Sequence, residues 1–189
     1  MIKSFSDDLY RKHGRRTYTL RDRFTDKTLK CLRTYRYANY YWNAYLKSHS
    51  LVKKLKYYFW AWRLLKLKNK YAFTVPPKTK IGNGLFIGHN GPLIINAEVV
   101  IGKNCNIGPN VVIGQENRGK RKGTPVIGDK VWIGSNAVIV GKITIGNNVL
   151  IAPGAYVNFD VPSNTIVVGN PGKMINSDKA VESYIENEI

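Results

Sequence analysis

An aliphatic residue returns every six positions through most of the second half of the chain, and this spacing constrains the fold more than any other feature. The positions are Val75, Ile81, Ile87, Ile95, Ile101, Ile107, Ile113, Ile127, Ile133, Ile139, Ile145, Ile151 and Val157, and Gly follows eight of them. A period of six fits neither a helix face nor simple strand alternation. It is typical of a chain that turns a corner after each short strand.

Three such strands close a triangular coil whose aliphatic side chains point inward, while Gly tolerates the corners. The sequence therefore predicts a mainly β fold: a left-handed parallel β-helix of the hexapeptide type over residues 74–176, preceded by a basic helical segment. We expect between four and five coils, roughly 20 Å tall at about 4.8 Å per coil. A β-sandwich is disfavoured because its turns do not keep a strict count of six.

The repeat is interrupted twice. Eight residues separate Ile87 from Ile95, and fourteen separate Ile113 from Ile127, which predicts a loop at 115–124 outside the prism. The first interruption contains His89, the only His after residue 49. Interruptions of a solenoid often carry function because the coils are committed to packing. Composition alone leaves His89 equally compatible with a solvated corner.

The front of the chain differs sharply from the repeat. Residues 1–73 hold 19 Lys and Arg against 4 Asp and Glu, a net +15, whereas residues 74–189 hold 11 against 8, a net +3. The absence of Gly and Pro between Phe24 and Lys70 predicts two helices, over 25–47 and 50–69. Three roles remain open for residues 24–70: packing on the β-helix or across an oligomer, peripheral contact with an anionic membrane, or nucleic-acid binding, the least favoured of the three.

Other features narrow the class of protein. Cys31 and Cys105 are too few for a disulfide framework, and the chain has neither a signal-peptide core nor an apolar run of membrane-spanning length. We therefore expect a cytoplasmic protein, with attachment to the inner membrane face as the alternative. A single His in the repeat disfavours the three-His metal site of γ-type carbonic anhydrases, so no metal is predicted. Residues 177–189 are expected to form a helical tail.

The stretches "PPKTKIGNGLFIGHNGPLIIN", "VIGDKVWIGSNAVIVGKITIGNNVLIAPGAYV" and "VPSNTIVVGNPGKMI" resemble the serine acetyltransferase branch of the hexapeptide acyltransferases, and in particular the short O-acetyltransferases of capsule and exopolysaccharide clusters. The resemblance covers about residues 74–176. It implies a homotrimer that binds acetyl-CoA between neighbouring subunits and a His that deprotonates the acceptor hydroxyl.

Carried over position by position, the resemblance implies roles for single residues. The general base falls on His89. Contacts with CoA fall on Gly134, Ser135, Ala152, Pro153 and Lys173. Thr74, Asn90 and Thr124 fall where the acceptor binds or the base is oriented.

The departures from the serine enzymes concern the acceptor. Two acidic positions of that branch are Thr74 and Gly88 here, and its Arg-His pair at the end of the excursion loop is Gly123-Thr124. Those residues would hold the ammonium and carboxylate of serine, so their absence favours a sugar hydroxyl.

Imidazole can take the proton of an attacking alcohol and return it to the departing thiol. We therefore expect an acyl-CoA-dependent O-acetyltransferase that acts on a sugar or polysaccharide hydroxyl, on a glycan that is free or lipid-linked. Serine O-acetylation is the alternative within the fold. A solenoid scaffold, or a membrane- or nucleic-acid-binding module, is the alternative without catalysis. Arg118, Lys120, Arg121 and Lys122 of the excursion loop would face CoA phosphates, an anionic glycan or solvent.

Overall fold

The computed structural model describes all 189 residues and begins with four helices: α1 (Lys3–His13), α2 (Leu20–Thr25), α3 (Lys27–Ser48) and α4 (Leu51–Tyr71). The two helices expected from the sequence correspond to α3 and α4. The short α1 and α2 were not foreseen; Gly14, in the left-handed conformation, ends α1. No helix, including the long α3 and α4, combines the length and apolar character needed to cross a lipid bilayer.

A three-sided β-solenoid of about five coils follows, which confirms the repeat architecture. Its strands are β1 (Phe73–Thr74), β2 (Lys80–Ile81), β3 (Phe86–Ile87), β4 (Leu93–Ile95), β5 (Val100–Ile101), β6 (Asn106–Ile107), β7 (Val111–Gly114), β8 (Val126–Ile127), β9 (Val131–Ile133), β10 (Val138–Val140), β11 (Thr144–Ile145), β12 (Val149–Ile151), β13 (Tyr156–Val157), β14 (Thr165–Val168) and β15 (Lys173–Asn176). The strands form three sheets: β1-β4-β7-β10-β13, β2-β5-β8-β11 and β3-β6-β9-β12-β14-β15. We call these the first, second and third sheets.

The aliphatic ladder fills the interior of the prism. Every member of the six-residue repeat is buried except Ile81, which is partly buried against the same core. In the third sheet the ladder runs in register from Ile87 through Ile107 and Ile133 to Ile151. Because the aliphatic side chains of successive coils stack on one another, the six-residue spacing must be kept within each coil.

The helices close the open end of the first coil. Cys31, Leu32, Tyr35 and Leu64 belong to the same hydrophobic core as the ladder. The Tyr35 hydroxyl donates a 2.7 Å hydrogen bond to the carbonyl of Thr79. A solenoid needs such a cap because its terminal coil would otherwise expose the stack. Residues 1–73 therefore pack against the β-helix over part of their surface.

A buried ion pair fixes this cap. The Arg36 guanidinium contacts both Asp8 carboxylate oxygens, at 2.7 and 2.9 Å, and donates to the carbonyls of Ile81 and Gly82, each at 2.7 Å. Asp8 in turn accepts from the N–H of Leu85 at 2.9 Å. Both side chains are almost fully buried. Thus α1, α3 and the first coil are joined through one pair of charges.

The loop at 115–124 leaves the prism as expected, between β7 and β8, and is closed by a short antiparallel bridge between Glu116 and Gly123. Its cationic side chains are exposed. The predicted helical tail is wrong: residues 178–184 form consecutive turns instead of a helix. Ala180, Val181 and Ile185 are buried with Leu150. A segment this short depends on packing for its conformation, and these contacts favour turns over a continuous helix.

Candidate active site

His89 lies where the chain passes from the third sheet to the first. It lies two residues after the end of β3, and the two extra residues of the repeat lie between β3 and β4. Ile87 and Ile95 stay buried in the stack on either side of the bulge, while His89 is exposed. The interruption therefore moves an imidazole out of the coil without disturbing the core.

The bulge also leaves backbone donors free. The N–H groups of His89, Asn90 and Gly91 form no hydrogen bond within the chain. A side chain at Gly91 would clash with Pro109, because a Cβ there would lie 2.6 Å from the Pro109 Cβ. Gly91 therefore allows the bulge to lie close against the next coil. The three unpaired N–H groups of the bulge are donors of the kind that stabilise an oxyanion.

His89 begins a column of residues along one edge of the prism. The third-sheet register places Pro109, Ser135 and Pro153 at the same position in successive coils. We call this column the His89 edge. At about 4.8 Å per coil, Pro153 lies roughly 14 Å from His89 along the edge. An elongated ligand lying along it would reach the imidazole at one end.

The upper part of this edge contains the residues that the sequence assigns to CoA. A Cβ at Gly134 would lie 2.5 Å from the backbone nitrogen of Pro153, so only Gly permits this stacking. Gly154 donates a 2.9 Å hydrogen bond to the carbonyl of Ser135, which joins the two corners. Lys173 pairs with Val168 at the last turn of the same sheet. The structure thus places Gly134, Ser135, Ala152, Pro153 and Lys173 along or beside the His89 edge.

The helices supply a second wall that the sequence did not predict. A polar cavity of about 260 Å³ is lined by Lys12, Thr25, Asp26, Lys27, Thr28, Gly88, His89 and Asn90. Asp26 is the only carboxylate in this lining. A small apolar crevice on the other side of His89 is lined in part by Tyr71 and Phe73. His89 therefore faces the junction of α1, α2 and α3.

Asp26 is held by a dense set of contacts. It caps α3 by accepting from the N–H of Leu29 at 2.9 Å, pairs with the Lys12 ammonium at 2.8 Å, and accepts from the Thr28 hydroxyl at 2.7 Å. Burial alone would raise the pKa of Asp26, but these three partners outweigh it and hold the pKa below its ordinary value. The carboxylate is therefore ionised at neutral pH, with its charge balanced by Lys12.

This arrangement predicts the effect of Asp26→Asn. Asn preserves the helix cap but loses the charge pairing, so the free energy of unfolding at neutral pH should fall by about 1 kcal/mol, a value reduced for solvent screening. Because the folded pKa is depressed, the contribution of Asp26 is present above the unfolded-state pKa and is lost as pH falls through the folded pKa.

The difference between wild type and Asp26→Asn should therefore shrink as pH is lowered from about 5 through the folded pKa of Asp26. Urea unfolding across that range measures it. Glu98→Gln removes an exposed carboxylate without an ion pair and should show no such trend. A pH-independent deficit for Asp26→Asn would contradict the charge assignment.

Comparison with known proteins places the chain in a family. A model described as "Bacterial transferase hexapeptide (six repeats)" matches residues 124–158, and "Hexapeptide repeat of succinyl-transferase" matches residues 98–115. A serine acetyltransferase of Staphylococcus epidermidis is 32% identical over 180 residues, which cover 94% of this chain and 80% of the relative. This chain belongs to the serine acetyltransferase family. A second relative, the serine acetyltransferase of Staphylococcus xylosus, is 37% identical over 80% of this chain and 69% of its own length.

Solved members of the serine acetyltransferase family share the fold of both the helices and the solenoid. The Neisseria gonorrhoeae serine acetyltransferase has a TM-score of 0.72 at 27% identity, over 93% of this chain and 66% of its own. The same enzyme in complex with serine has a TM-score of 0.71 at 29% identity, over 92% of this chain and 68% of its own. The match over more than nine-tenths of the chain includes the helical cap.

The remaining predicted residues lie in different places around this serine acetyltransferase fold. Asn90 lines both cavities beside His89. Thr74 lines a separate groove with Leu65 and Pro76. Thr124 lies at the corner between the first and second sheets, where its hydroxyl donates to the carbonyl of Glu98 at 3.3 Å. Within one chain the structure thus brings Asn90, but neither Thr74 nor Thr124, to the His89 cavity.

Neither cysteine of this serine acetyltransferase family member is a nucleophile at neutral pH. Cys105 is fully buried in the core, and burial raises its thiol pKa to about 12. Cys31 lines the crevice near His89, but burial raises its pKa to about 12 as well. No group of three or more His, Cys, Asp or Glu side chains is arranged to hold a metal ion. Both thiols are therefore protonated at neutral pH, and His89 is the exposed titratable side chain of the bulge between β3 and β4.

Proposed function

We propose that this protein is an acetyl-CoA-dependent O-acetyltransferase in which His89 is the general base. The carrying observation is the His89 edge, which aligns an exposed imidazole, unpaired backbone donors and the stacked corners at Ser135 and Pro153. The names of the relatives, all serine acetyltransferases, support acetyl transfer as the reaction.

The chemistry follows from this arrangement. His89 removes the proton of the acceptor hydroxyl as its oxygen attacks the thioester carbonyl, forming the new C–O bond. The unpaired N–H groups of His89, Asn90 and Gly91 are the donors that we propose for the tetrahedral oxyanion. The C–S bond then breaks, and the imidazolium returns its proton to the thiolate of CoA. General base assistance of this kind contributes about 10²–10⁴-fold to the rate.

The donor site predicts the effect of Ser135→Trp. The bulky ring would obstruct the His89 edge two coils from His89 and one coil from Pro153. The KM for acetyl-CoA should therefore rise by about tenfold or more, in line with the loss of a few hydrogen bonds and contacts. Initial rates of thiol release measure this. Lys103→Trp is the matched control, because Lys103 also follows a repeat Gly but lies on another edge. Equal KM values for both variants would move acetyl-CoA away from the His89 edge.

Serine is the first acceptor to test. The relatives are named for it, and the gonococcal relative has been solved in complex with serine. In this chain Asp26 is the only carboxylate available to an ammonium group at the cavity. Lys27 of the same lining forms no salt bridge and is available to a carboxylate. Serine binding at this site would therefore use residues of the helical cap.

A sugar hydroxyl, including one on a capsule or exopolysaccharide glycan, is the second candidate. The observation in its favour is that the charge of Asp26 is already matched by Lys12, so the cavity offers no surplus negative charge to an ammonium group. Gly88, directly before the base, carries no side chain that could add a charge beside His89. A neutral alcohol needs no such charges.

Gly88→Asp discriminates between the two acceptors. A Cβ at Gly88 would lie no closer than 3.4 Å to any atom, so the side chain fits beside His89. The new carboxylate should raise kcat/KM for serine about tenfold and leave that for a neutral sugar within about twofold. Thiol release from acetyl-CoA with serine and with a panel of hexoses gives both ratios. Activity of the wild type with hexoses alone would assign the sugar, and activity with serine alone would assign the amino acid.

The assembly belongs to the same proposal. A homotrimer, as the resemblance implies, would place the His89 edge of one subunit against a neighbour. It would also allow Thr124 or the cationic loop of that neighbour to approach His89, which they do not within one chain. Sedimentation velocity of the purified protein tests the trimer directly.

A further inference from the structure

The outer face of α4 carries an uninterrupted apolar surface. Its members, which we call the outer stripe, are Leu51, Val52, Leu55, Tyr58, Phe59, Trp62 and Leu65. Each is between 50% and 68% exposed. The stripe spans about 21 Å along the helix axis. Large contiguous apolar surfaces are rare on soluble monomers and generally mark an interaction site.

The outer stripe is not an unfinished part of the core. The opposite face of α4 already packs on α3, where Tyr37 stacks on Trp60 at 4.6 Å and Trp42 meets Tyr57 at 5.1 Å. Leu64 is buried beneath the helix. Since the inner face is satisfied, the outer stripe is free to contact something outside this chain. Packing of this stripe on the chain's own β-helix, one of the roles left open by the sequence, is excluded.

The positive charge around the outer stripe indicates the chemistry of its partner. Residues 27–71, which form α3 and α4, contain 12 Lys and Arg and no Asp or Glu. None of the seven cations of α4 forms a salt bridge. Lys66 lies 3.7 Å above the Trp62 ring, so a cation directly borders the apolar surface. A partner with an apolar interior and an anionic surface would match both the apolar side chains and the cations of α4.

We propose that the outer stripe of α4 binds the surface of an anionic lipid bilayer. The helix lies in the plane of the interface, with leucine, valine and aromatic side chains among the acyl chains and the flanking lysines among the headgroups. Trp62 and Tyr58 suit the boundary because their rings combine an apolar body with a polar group. Because α4 does not span a bilayer, the attachment is peripheral.

Two other occupants fit the surface less well. A second copy of α3 and α4 would bring two strongly cationic surfaces together without a single acidic partner. A nucleic acid would satisfy the cations, but it would leave Leu51, Val52, Leu55 and Leu65 without a hydrophobic environment, since bases stack on aromatic rings and not on aliphatic chains. A bilayer satisfies both the charges and the aliphatic side chains.

The position of the stripe also orients the molecule. α4 ends at Tyr71, which lines the crevice beside His89. The membrane-binding helix and His89 thus belong to the same end of the solenoid, and the far end, with β15, points away. Binding through α4 therefore holds the His89 end closest to the bilayer.

Vesicle flotation of the full-length protein tests the proposal. The probes are vesicles of phosphatidylcholine alone and of equal parts phosphatidylcholine and phosphatidylglycerol. The wild type should float with the anionic vesicles and remain at the bottom with the neutral ones, and added salt should weaken its binding because surface charge is screened. Failure to float with anionic vesicles at low salt would overturn the proposal.

Paired variants identify the surface. Leu55→Glu with Trp62→Glu should reduce the partition into anionic vesicles at least tenfold, because two apolar contacts are lost and two negative charges are added that the anionic headgroups repel. Met174→Glu with Ile175→Glu introduces the same charge at two half-exposed residues of β15, and it should change the partition less than twofold. Circular dichroism confirms that both variants keep the helix content of the wild type.

Three further results would reject the proposal that the outer stripe binds a bilayer. If the α4 double variant floats as well as the β15 double variant, the outer stripe is not the contact. If the α4 double variant instead forms a smaller oligomer than the wild type by sedimentation velocity, the stripe binds a second copy. Binding of the wild type to polyuridine but not to anionic vesicles would assign the surface to nucleic acid.

Discussion

Replacement of His89 by Ala is expected to lower kcat for acetyl transfer by about 10²–10⁴-fold, the usual contribution of a general base. His89 is the only titratable side chain that the bulge between β3 and β4 exposes to the His89 edge. Without it, the acceptor hydroxyl must lose its proton to water. The KM for acetyl-CoA should change little because donor contacts lie further along the edge. Continuous detection of released thiol measures both constants.

His49→Ala is the matched control for this experiment. His49 is an exposed imidazole at the C-terminal end of α3, in a left-handed conformation, and lies outside the cavity of His89. It should retain the wild-type rate. Full activity of His89→Ala under conditions in which the wild type is saturated with both substrates would remove His89 from the mechanism.

Arg36→Met should be the most destabilising single change. It leaves the Asp8 carboxylate fully buried with only the N–H of Leu85 as a hydrogen-bond donor. Loss of one partner of a buried ion pair typically costs about 3–5 kcal/mol in free energy of unfolding. For a chain of this size that corresponds to a fall in Tm of roughly 6–20 °C. Calorimetry and denaturant unfolding measure the two quantities.

Two comparisons test whether loss of the ion pair causes the destabilisation by Arg36→Met. Arg23→Met removes an exposed cation from α2 and should shift stability by less than about 0.5 kcal/mol. Adding Asp8→Leu to Arg36→Met removes the stranded carboxylate and should recover a large part of the loss. If Asp8→Leu instead lowered the stability of the Arg36→Met variant further, by as much as an independent mutation would, the loss of the ion pair would not be the cause of the destabilisation.

The solenoid was predictable because its periodicity is strict. Each coil must place an aliphatic side chain directly above the equivalent side chain of the coil before it. The buried residues from Ile95 to Ile151 meet this requirement, and their spacing can be read from the sequence. The exposure of His89 was predictable for the same reason, since a break in such a ladder pushes residues outward. The long helices α3 and α4 followed from the absence of Gly and Pro.

The second wall of the site was not predictable from the repeat. Lys12 and Asp26 reach the His89 cavity only because α1 and α3 pack on the first coil, which depends on long-range contacts such as Arg36 with Ile81 and Gly82. One signal was available: Asp26 is one of only four acidic residues in a strongly basic segment. The turns of the tail likewise depend on packing against Leu150. Local propensity does not encode such contacts.

In the proposed mechanism the acetyl group passes directly from the thioester to an acceptor hydroxyl, without an intermediate on the protein. Intact-protein mass spectrometry of the wild type after incubation with acetyl-CoA, with and without serine or a hexose, tests this direct transfer. Direct transfer predicts an unmodified protein mass throughout, with free CoA and an equal amount of O-acetylated acceptor formed only when the acceptor is present. An acetylated protein that forms without acceptor and is consumed on its addition would rule out direct transfer.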